Sequence, residues 1–189
     1  MPAALPLPVS IRPATADDLP TAAAIYNEGI RGRRATFETR ERTADDLGPW
    51  LDDPSHPFLV ATASAPAASR AMTAQAVTGS VVGWIHAAPY RARACYDGIG
   101  DFSVYVAAAA QGRGVGDALM AAFLPACADA GLWKVLSRVF PENAASRALC
   151  ARHGFREVGT YARHARLDGT WRDVVIVERL LPPALTPGA

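Results

Sequence analysis

The chain has 189 residues, 19 of them basic and 18 acidic, for a formal net charge of +1, and half are hydrophobic. That is one domain's length with ample apolar material for a core, and the balanced charge offers no overall attraction for nucleic acid or an anionic membrane surface. Three widely spaced cysteines, Cys95, Cys127 and Cys150, form no disulfide framework and suit a reducing cytoplasm; residues 1–10, with three prolines and no basic residue, do not read as a signal peptide, and no run of about eighteen apolar residues is present to span a membrane.

Residues 1–8, broken by Pro2, Pro6 and Pro8, read as a disordered tail. Val9 to Pro13 reads as a short strand. Thr15, Asp17 and Asp18 resemble a helix start with acids at its positive end. The helix carries Leu19, Ala23, Ile25 and Tyr26 and is expected to stop at Gly29. Ile30 to Arg42 shows no period and reads as a loop or broken helix, with Arg31, Arg33 and Arg34 as a solvated basic stretch. Thr43 opens a second short helix ending near Leu51, and Asp53-Pro54 and His56-Pro57 make a turn. Phe58 to Ala63 is a strand, Ser64 to Ala76 a mobile hairpin loop, and Val77 to Ala88 a long strand interrupted by Gly83.

Pro89-Tyr-Arg-Ala-Arg93 is an extended basic and aromatic segment leading into a strand over Ile99 to Val106. A glycine-rich turn follows, then a helix from Asp117 to Ala130 rich in Ala, Leu, Met and Phe. Lys134 to Phe140 is a strand, Pro141 to Asn143 a turn, Ala144 to Arg152 a helix stopped by Gly154. Phe155 to Leu167 and Trp171 to Leu180 are two strands joined by the hairpin signal Asp168-Gly169, and 182–189 is a tail. One domain over 9–181 results. Its order, β-α-α-β-β-β-α-β-α-β-β, mixes hairpins with an α crossover, so the chain is of the α/β class, with a mixed sheet and helices packed on its faces.

The chemistry concentrates in Gln111-Gly-Arg-Gly-Val-Gly116. A dinucleotide fingerprint fails, because the position that needs its third glycine is Asp117, and no Gly-Lys-Ser/Thr follows to make a P-loop. What remains is a glycine turn between a strand and a helix N-terminus. Consecutive N–H groups and the helix dipole there suit a phosphate or pyrophosphate; the plain alternative is an ordinary βα turn.

Together with Phe102-Ser-Val-Tyr-Val106 before it, this turn resembles the acetyl-CoA motif of the GNAT superfamily of N-acetyltransferases. A second motif, Asn143-Ala-Ala-Ser-Arg-Ala-Leu-Cys-Ala-Arg-His-Gly-Phe155, matches in the right order. The resemblance runs over 9–181. It implies a GNAT-like fold with a central mixed, mostly antiparallel sheet flanked by helices, and acetyl-CoA as co-substrate. Gln111, Gly112, Arg113, Gly114, Val115, Gly116 and Asp117 would hold the pyrophosphate, Val104, Tyr105 and Val106 would pair with the pantetheine arm, and Asn143 and Ser146 would flank it. Ile25-Tyr-Asn-Glu28, Thr36-Phe-Glu-Thr39, Pro89-Tyr-Arg-Ala-Arg93, Tyr96-Asp97 and Trp171-Arg-Asp-Val174 are similar to a subgroup that acetylates phosphinothricin, methionine sulfoximine and arsinothricin. That implies a cytoplasmic homodimer conferring resistance to such compounds.

An amine attacks a thioester only when neutral, so a carboxylate must take its proton, directly or through water. In the subgroup a glutamate commonly stands where this chain has Asp101, which is shorter and slightly more acidic. Asp101 is read as that base, or else as the group that binds the substrate ammonium. Backbone N–H groups near Val104 to Val106 suit the oxygen that gains negative charge. The leaving thiolate needs a proton. The helix tyrosine many relatives use is Cys150 here, which reads as a packing residue, so water or Tyr105 is expected to supply it. Arg91 and Arg93, beside Tyr90 and sharing one face of an extended segment, are expected to clamp the acceptor's carboxylate, unless they are a solvated loop. Phe37 is expected to wall the side-chain pocket, or to be plain core, with Phe102 and Ser103 also near the acceptor.

His56, His86, His153 and His164 lack ligand spacing, and the lone Cys150-x-x-His153 pair makes no zinc site, so no metal is expected. Two rivals stand beside this reading: an acetyltransferase of protein N-termini or polyamines, and a CoA-binding sensor without catalysis. Polyamines would suit an acidic cleft, whereas Arg91 and Arg93 bring positive charge.

Overall fold

A computed structural model of the chain describes residues 5–63 and 79–182. The loop expected over 64–76, the start of the third strand at 77, half of the first tail and most of the last lie outside the described residues. Seven strands form one sheet: β1 (Val9–Pro13), β2 (Phe58–Ala63), β3 (Val81–Pro89), β4 (Ile99–Val106), β5 (Lys134–Val139), β6 (Arg156–Leu167) and β7 (Thr170–Leu180). Their order is β1-β2-β3-β4-β5-β7-β6. Every neighbouring pair is antiparallel except β4 and β5. That one parallel pair needs a crossover, which is supplied by α3 (Val115–Asp129).

The strand patterns follow from what covers them. On one face lie α1 (Leu19–Gly32) and α2 (Ala44–Leu47), burying Leu19, Ala22, Ile25 and Leu47 against Phe58, Val60 and Trp84. On the other lie α3 and α4 (Ala144–Arg152), burying Leu119, Phe123 and Leu149 against Ile85, Phe102, Val135 and Val177. With helices on both sides, β2 is buried along nearly all its length, Phe58-Leu-Val-Ala-Thr-Ala63, with only Thr62 polar, rather than alternating. At the far edge β6 is exposed along nearly all its length. No helix among the described residues is long and apolar enough to cross a membrane.

Two expectations about chain ends need correction. The first helix does not stop at Gly29: it runs to Gly32 and closes at Arg33, which adopts a left-handed φ of 54°. Gly29 serves another purpose, because a Cβ there would lie 2.6 Å from the Tyr105 ring of β4. The missing side chain lets α1 settle onto the strand. The segment before β1 is also anchored where it is described: the Leu7 N–H donates to the Arg113 carbonyl at 2.9 Å, and Arg113 Nε donates to the Leu5 carbonyl at 3.3 Å.

The start of α1 is held by Asp18. Its carboxylate accepts the Thr15 N–H at 2.8 Å and pairs with both ends of the Arg12 guanidinium at 2.6 and 2.7 Å. Those Arg12 bonds hold the Asp18 carboxyl below the usual carboxylate range. A depressed native pKa stabilises the fold above the unfolded value, and the effect fades as pH falls through it. Asp18→Asn should therefore lower Tm at pH 7, and its gap to the parent protein should close below about pH 4; a gap that stays constant down to pH 3 in thermal melts would contradict this account. The glycines of α1 give a second check. Gly32 meets nothing within 4 Å, so Gly32→Ala should be neutral or stabilising by up to about 1 kcal/mol. Gly29→Ala should instead cost about 1–3 kcal/mol in denaturant titrations, reversing the ordinary helix preference because the new methyl meets Tyr105.

Candidate active site

The parallel pair β4–β5 is short. It begins at Ile99↔Lys134 and ends at Asp101↔Leu136. Beyond that point β5 stays paired to β7 through Val139, while β4 stays paired to β3 through Val106. The two strands part, and the β5-facing edge of β4 from Phe102 to Val106 carries no strand partner among the described residues. An extended ligand with amide groups can add to such an edge as a strand would.

The glycine turn sits at the end of that edge. Gly112 and Gly114 adopt φ of 69° and 84°, where a side chain would be strained, though space is open around both. Gly114 caps α3, whose first internal bond runs from the Ala118 N–H to the Gly114 carbonyl at 3.1 Å. The N–H groups of Val115, Gly116 and Asp117 therefore precede any intrahelical acceptor, and they form the positive end of a fifteen-residue helix. The side chains around the turn are occupied with shaping it. Gln111 Nε2 donates to the Val106 carbonyl at 3.1 Å, and Arg113 turns back to Leu5. Asp117 is drawn sideways to Arg152, at 2.9 Å to each oxygen, and to His153 at 3.2 Å; Arg152 first, then His153, holds its carboxyl below the usual range. An anion at the turn would meet backbone, with the Asp117 charge already neutralised.

Asn143 caps α4 by accepting the Ser146 N–H at 3.1 Å, and its Nδ2 donates to the Arg34 carbonyl at 3.2 Å. It thus ties the loop between α1 and α2 to the start of α4. Ser146 contributes this N–H to the cap.

On the α1 side of the parting, a cleft of about 260 Å³ opens. Asp101, Ser103 and Tyr105 alternate along β4 and share that face. Facing them are Tyr26 of α1, Thr36, Phe37 and Glu38 of the following loop, and Ser137, Arg138 and Phe140 at the end of β5. Phe37 packs edge-on against Phe140 with centroids 4.9 Å apart. Asp101 forms a salt bridge through Oδ2 to Arg138 Nη2. A neighbouring hollow of about 520 Å³ is lined by Arg33, Arg34, Glu142 and Arg172, but Arg172 is paired with Glu142, and Arg33 with Asp168 at 3.1 Å.

Phe37, Asp101, Ser103 and Tyr105 are thus gathered around one cleft, and Val104 and Val106 lie on the open edge. Others are placed differently from expectation. The Phe102 ring points to the α3 side, packed on Phe123 and Phe155, so only its backbone borders the cleft. Tyr90, Arg91 and Arg93 are not in the lining. Arg91 and Arg93 are exposed, their guanidinium carbons 5.2 Å from the Tyr90 ring and 5.9 Å from the Tyr96 ring. The alternation expected of an extended segment is lost because the chain bends at Tyr90 and coils into a short turn at Ala94–Tyr96. Tyr105 is half-buried in the cleft lining: its ring packs against Tyr26 and Trp84, its hydroxyl donates to the Ala35 carbonyl at 3.2 Å, and burial raises its pKa above that of an ordinary phenol. The Cys150 thiol is buried in the α3-side core and pushed up to about 11 by that burial, as befits packing. Alternation along β5 puts Arg138 on the same face as Lys134 and Leu136, and that was the signal that could have found it.

Comparisons with known proteins agree with this fold. The sequence profile of the acetyltransferase (GNAT) family matches residues 28–155. A phosphinothricin N-acetyltransferase of Streptomyces coelicolor is 36% identical over 173 residues, covering 92% of this chain and 96% of that one. An L-methionine sulfoximine/L-methionine sulfone acetyltransferase of Pseudomonas aeruginosa is 28% identical over 177 residues, covering 92% and 95%. Among solved structures, a GNAT superfamily phosphinothricin acetyltransferase of Sinorhizobium meliloti in complex with AcCoA superposes with a TM-score of 0.78 at 24% identity, covering 96% of this chain and 93% of that one, which shows the common fold. A profile match over more than half of the chain, with relatives aligned nearly end to end, means that the chain belongs to the GNAT family and is an acetyltransferase.

Proposed function

We propose that this enzyme moves acetyl from acetyl-CoA to the α-amine of a small amino-acid-like compound of the phosphinothricin, methionine sulfoximine or arsinothricin type. In the cell it confers resistance to such compounds, acting as a cytoplasmic homodimer. The observation that carries the reading is the position of Asp101: a carboxylate at the point where β4 and β5 part, between an open strand edge and a cleft sized for a small molecule.

The residues present fit acetyl-CoA. The N–H groups of Val115, Gly116 and Asp117 suit its pyrophosphate, and the unpartnered edge of β4 suits the amides of its arm. When bound it supplies a thioester carbonyl, open to attack by a neutral amine. Asp101 then accepts the ammonium proton, directly or through water. Backbone N–H groups on the freed edge of β4 stabilise the oxygen that gains charge. The Tyr105 phenol, its pKa raised by burial, leaves the thiolate's proton to water. Phe37 and Phe140 exclude water from the acceptor's apolar stem.

Release of free CoA during a screen of phosphinothricin, methionine sulfoximine, methionine sulfone, arsinothricin, spermidine and a short peptide tests the reading. At least one amino-acid analogue should show a kcat/KM about a hundredfold or more above spermidine and the peptide. Asp101→Asn should lower kcat by about a hundredfold or more while calorimetry finds CoA binding unchanged. Turnover confined to spermidine or the peptide would overturn the acceptor class, and full kcat in the variant would remove Asp101 as base. Tyr105→Phe separates packing from proton donation: kcat should stay within about threefold of the parent, whereas a general acid would lose about a hundredfold.

A further inference from the structure

We propose that residues 5–7 form a strap that fixes the glycine turn in its anion-binding shape, and that Leu7 is a positioning residue for the pyrophosphate of acetyl-CoA. This rests on the reading of the turn as the seat of that pyrophosphate and deepens it.

The strap is built from Leu5-Pro-Leu-Pro8. Prolines have no N–H, so Leu7 carries the one backbone donor between Leu5 and Val9. Leu5 and Leu7 each precede a proline, which holds both away from helical conformations and keeps the segment extended. The Leu7 side chain packs with Val9 and Ile11 of β1 against the α3-side core, which brings the segment alongside the turn. Two bonds then join them in opposite directions. The Leu7 N–H donates to the Arg113 carbonyl at 2.9 Å, and Arg113 Nε donates back to the Leu5 carbonyl at 3.3 Å. Among the described residues these are the only hydrogen bonds of the Arg113 carbonyl and guanidinium.

The turn needs such a tie. Gly114 has φ of 84° and ψ of −1°. That is the conformation of the third residue in a type II turn, for which about 80° and about 0° are typical. Rotating the Arg113–Gly114 peptide by about half a turn gives the type I arrangement, and glycine adopts either sign of φ with little cost. The two arrangements differ in where the Gly114 N–H points. In a planar trans peptide the carbonyl and the next N–H point in opposite directions. With the Arg113 carbonyl held toward Leu7, the Gly114 N–H faces away from the strap. There it joins the N–H groups of Val115, Gly116 and Asp117 as a further donor for one anion. Turned over, the same peptide would present a carbonyl oxygen to that anion, and the two would repel.

Calorimetry tests this through the Kd of CoA and, by competition against CoA, the Kd of pantetheine, the same arm without the nucleotide and its pyrophosphate. Leu7→Pro removes the N–H. Leu7→Ala keeps it and shortens the side chain. Pro6→Gly combined with Pro8→Gly keeps both and frees the segment. The parent protein should bind CoA about tenfold or more tighter than pantetheine. Leu7→Pro should weaken CoA by about tenfold and leave pantetheine within about twofold. Leu7→Ala should hold CoA at least about threefold tighter than Leu7→Pro does, and the double-glycine variant should weaken CoA by about threefold. Parental CoA affinity in Leu7→Pro would overturn the proposal. So would an equal loss for both ligands, which is what a general loosening of the fold gives, or a Leu7→Ala variant as weak as Leu7→Pro. Thermal melts report folding; should Leu7→Pro not fold, the double-glycine variant decides with the same two ligands, and parental CoA affinity there overturns the strap. A parent protein that binds both ligands equally overturns the turn as the pyrophosphate site itself, a failure read without any variant.

Discussion

The parting of β4 from β5 after the Asp101–Leu136 pair is the constraint on which the rest depends. A parallel pair held along its full length would bury both strand edges in backbone hydrogen bonds. Held for three residue pairs only, it keeps the sheet continuous and still leaves the β4 edge exposed beside a cleft. The flanking antiparallel partners make this tolerable. β4 is fastened along its length to β3, and β5 to β7, so neither strand relies on the other to stay extended. The open edge runs toward the glycine turn and the N-terminus of α3, which places an unpartnered strand edge and the positive end of a helix on one line.

Charge is arranged in the same economical way. The net charge of +1 hides a series of local pairs. Asp117 is neutralised by Arg152 and His153 beside the helix N-terminus, Glu38 by Arg42, and Asp101 by Arg138. Near α3 the pairing keeps a carboxylate from opposing an anion. In the cleft it sets two opposite charges a bond apart. Conformation supports this: the αL glycines turn the backbone, and the bare Gly29 lets α1 carry Tyr26 against Tyr105 at the cleft wall.

The order of elements was legible in the sequence because each had a local cause. Turn residues such as Asp168-Gly169 punctuate the strands, and the capping pattern at Thr15 and Asp18 announces a helix whatever lies around it. The glycine turn was legible for the same reason, since a left-handed φ is a local demand. Gly29 misled because a helix-ending glycine and a glycine shaved for a neighbouring ring look alike in one dimension. Arg91 and Arg93 do not share one face, because alternation holds only while the chain stays extended and this chain bends at Tyr90.

By itself the sequence determined the element order, the glycine turn before a helix N-terminus, the family resemblance and Asp101 as the residue to watch. These rest on short-range conformation and on patterns within a few neighbouring residues. Only the tertiary structure decided that β4 and β5 part at Asp101, that the Tyr105 ring packs against Tyr26 and Trp84 at the cleft, and that Arg138 stands opposite Asp101. Asp101 and Arg138 lie 37 residues apart. They meet because α3 carries the chain back to a parallel register, and no spacing rule within either strand encodes that encounter.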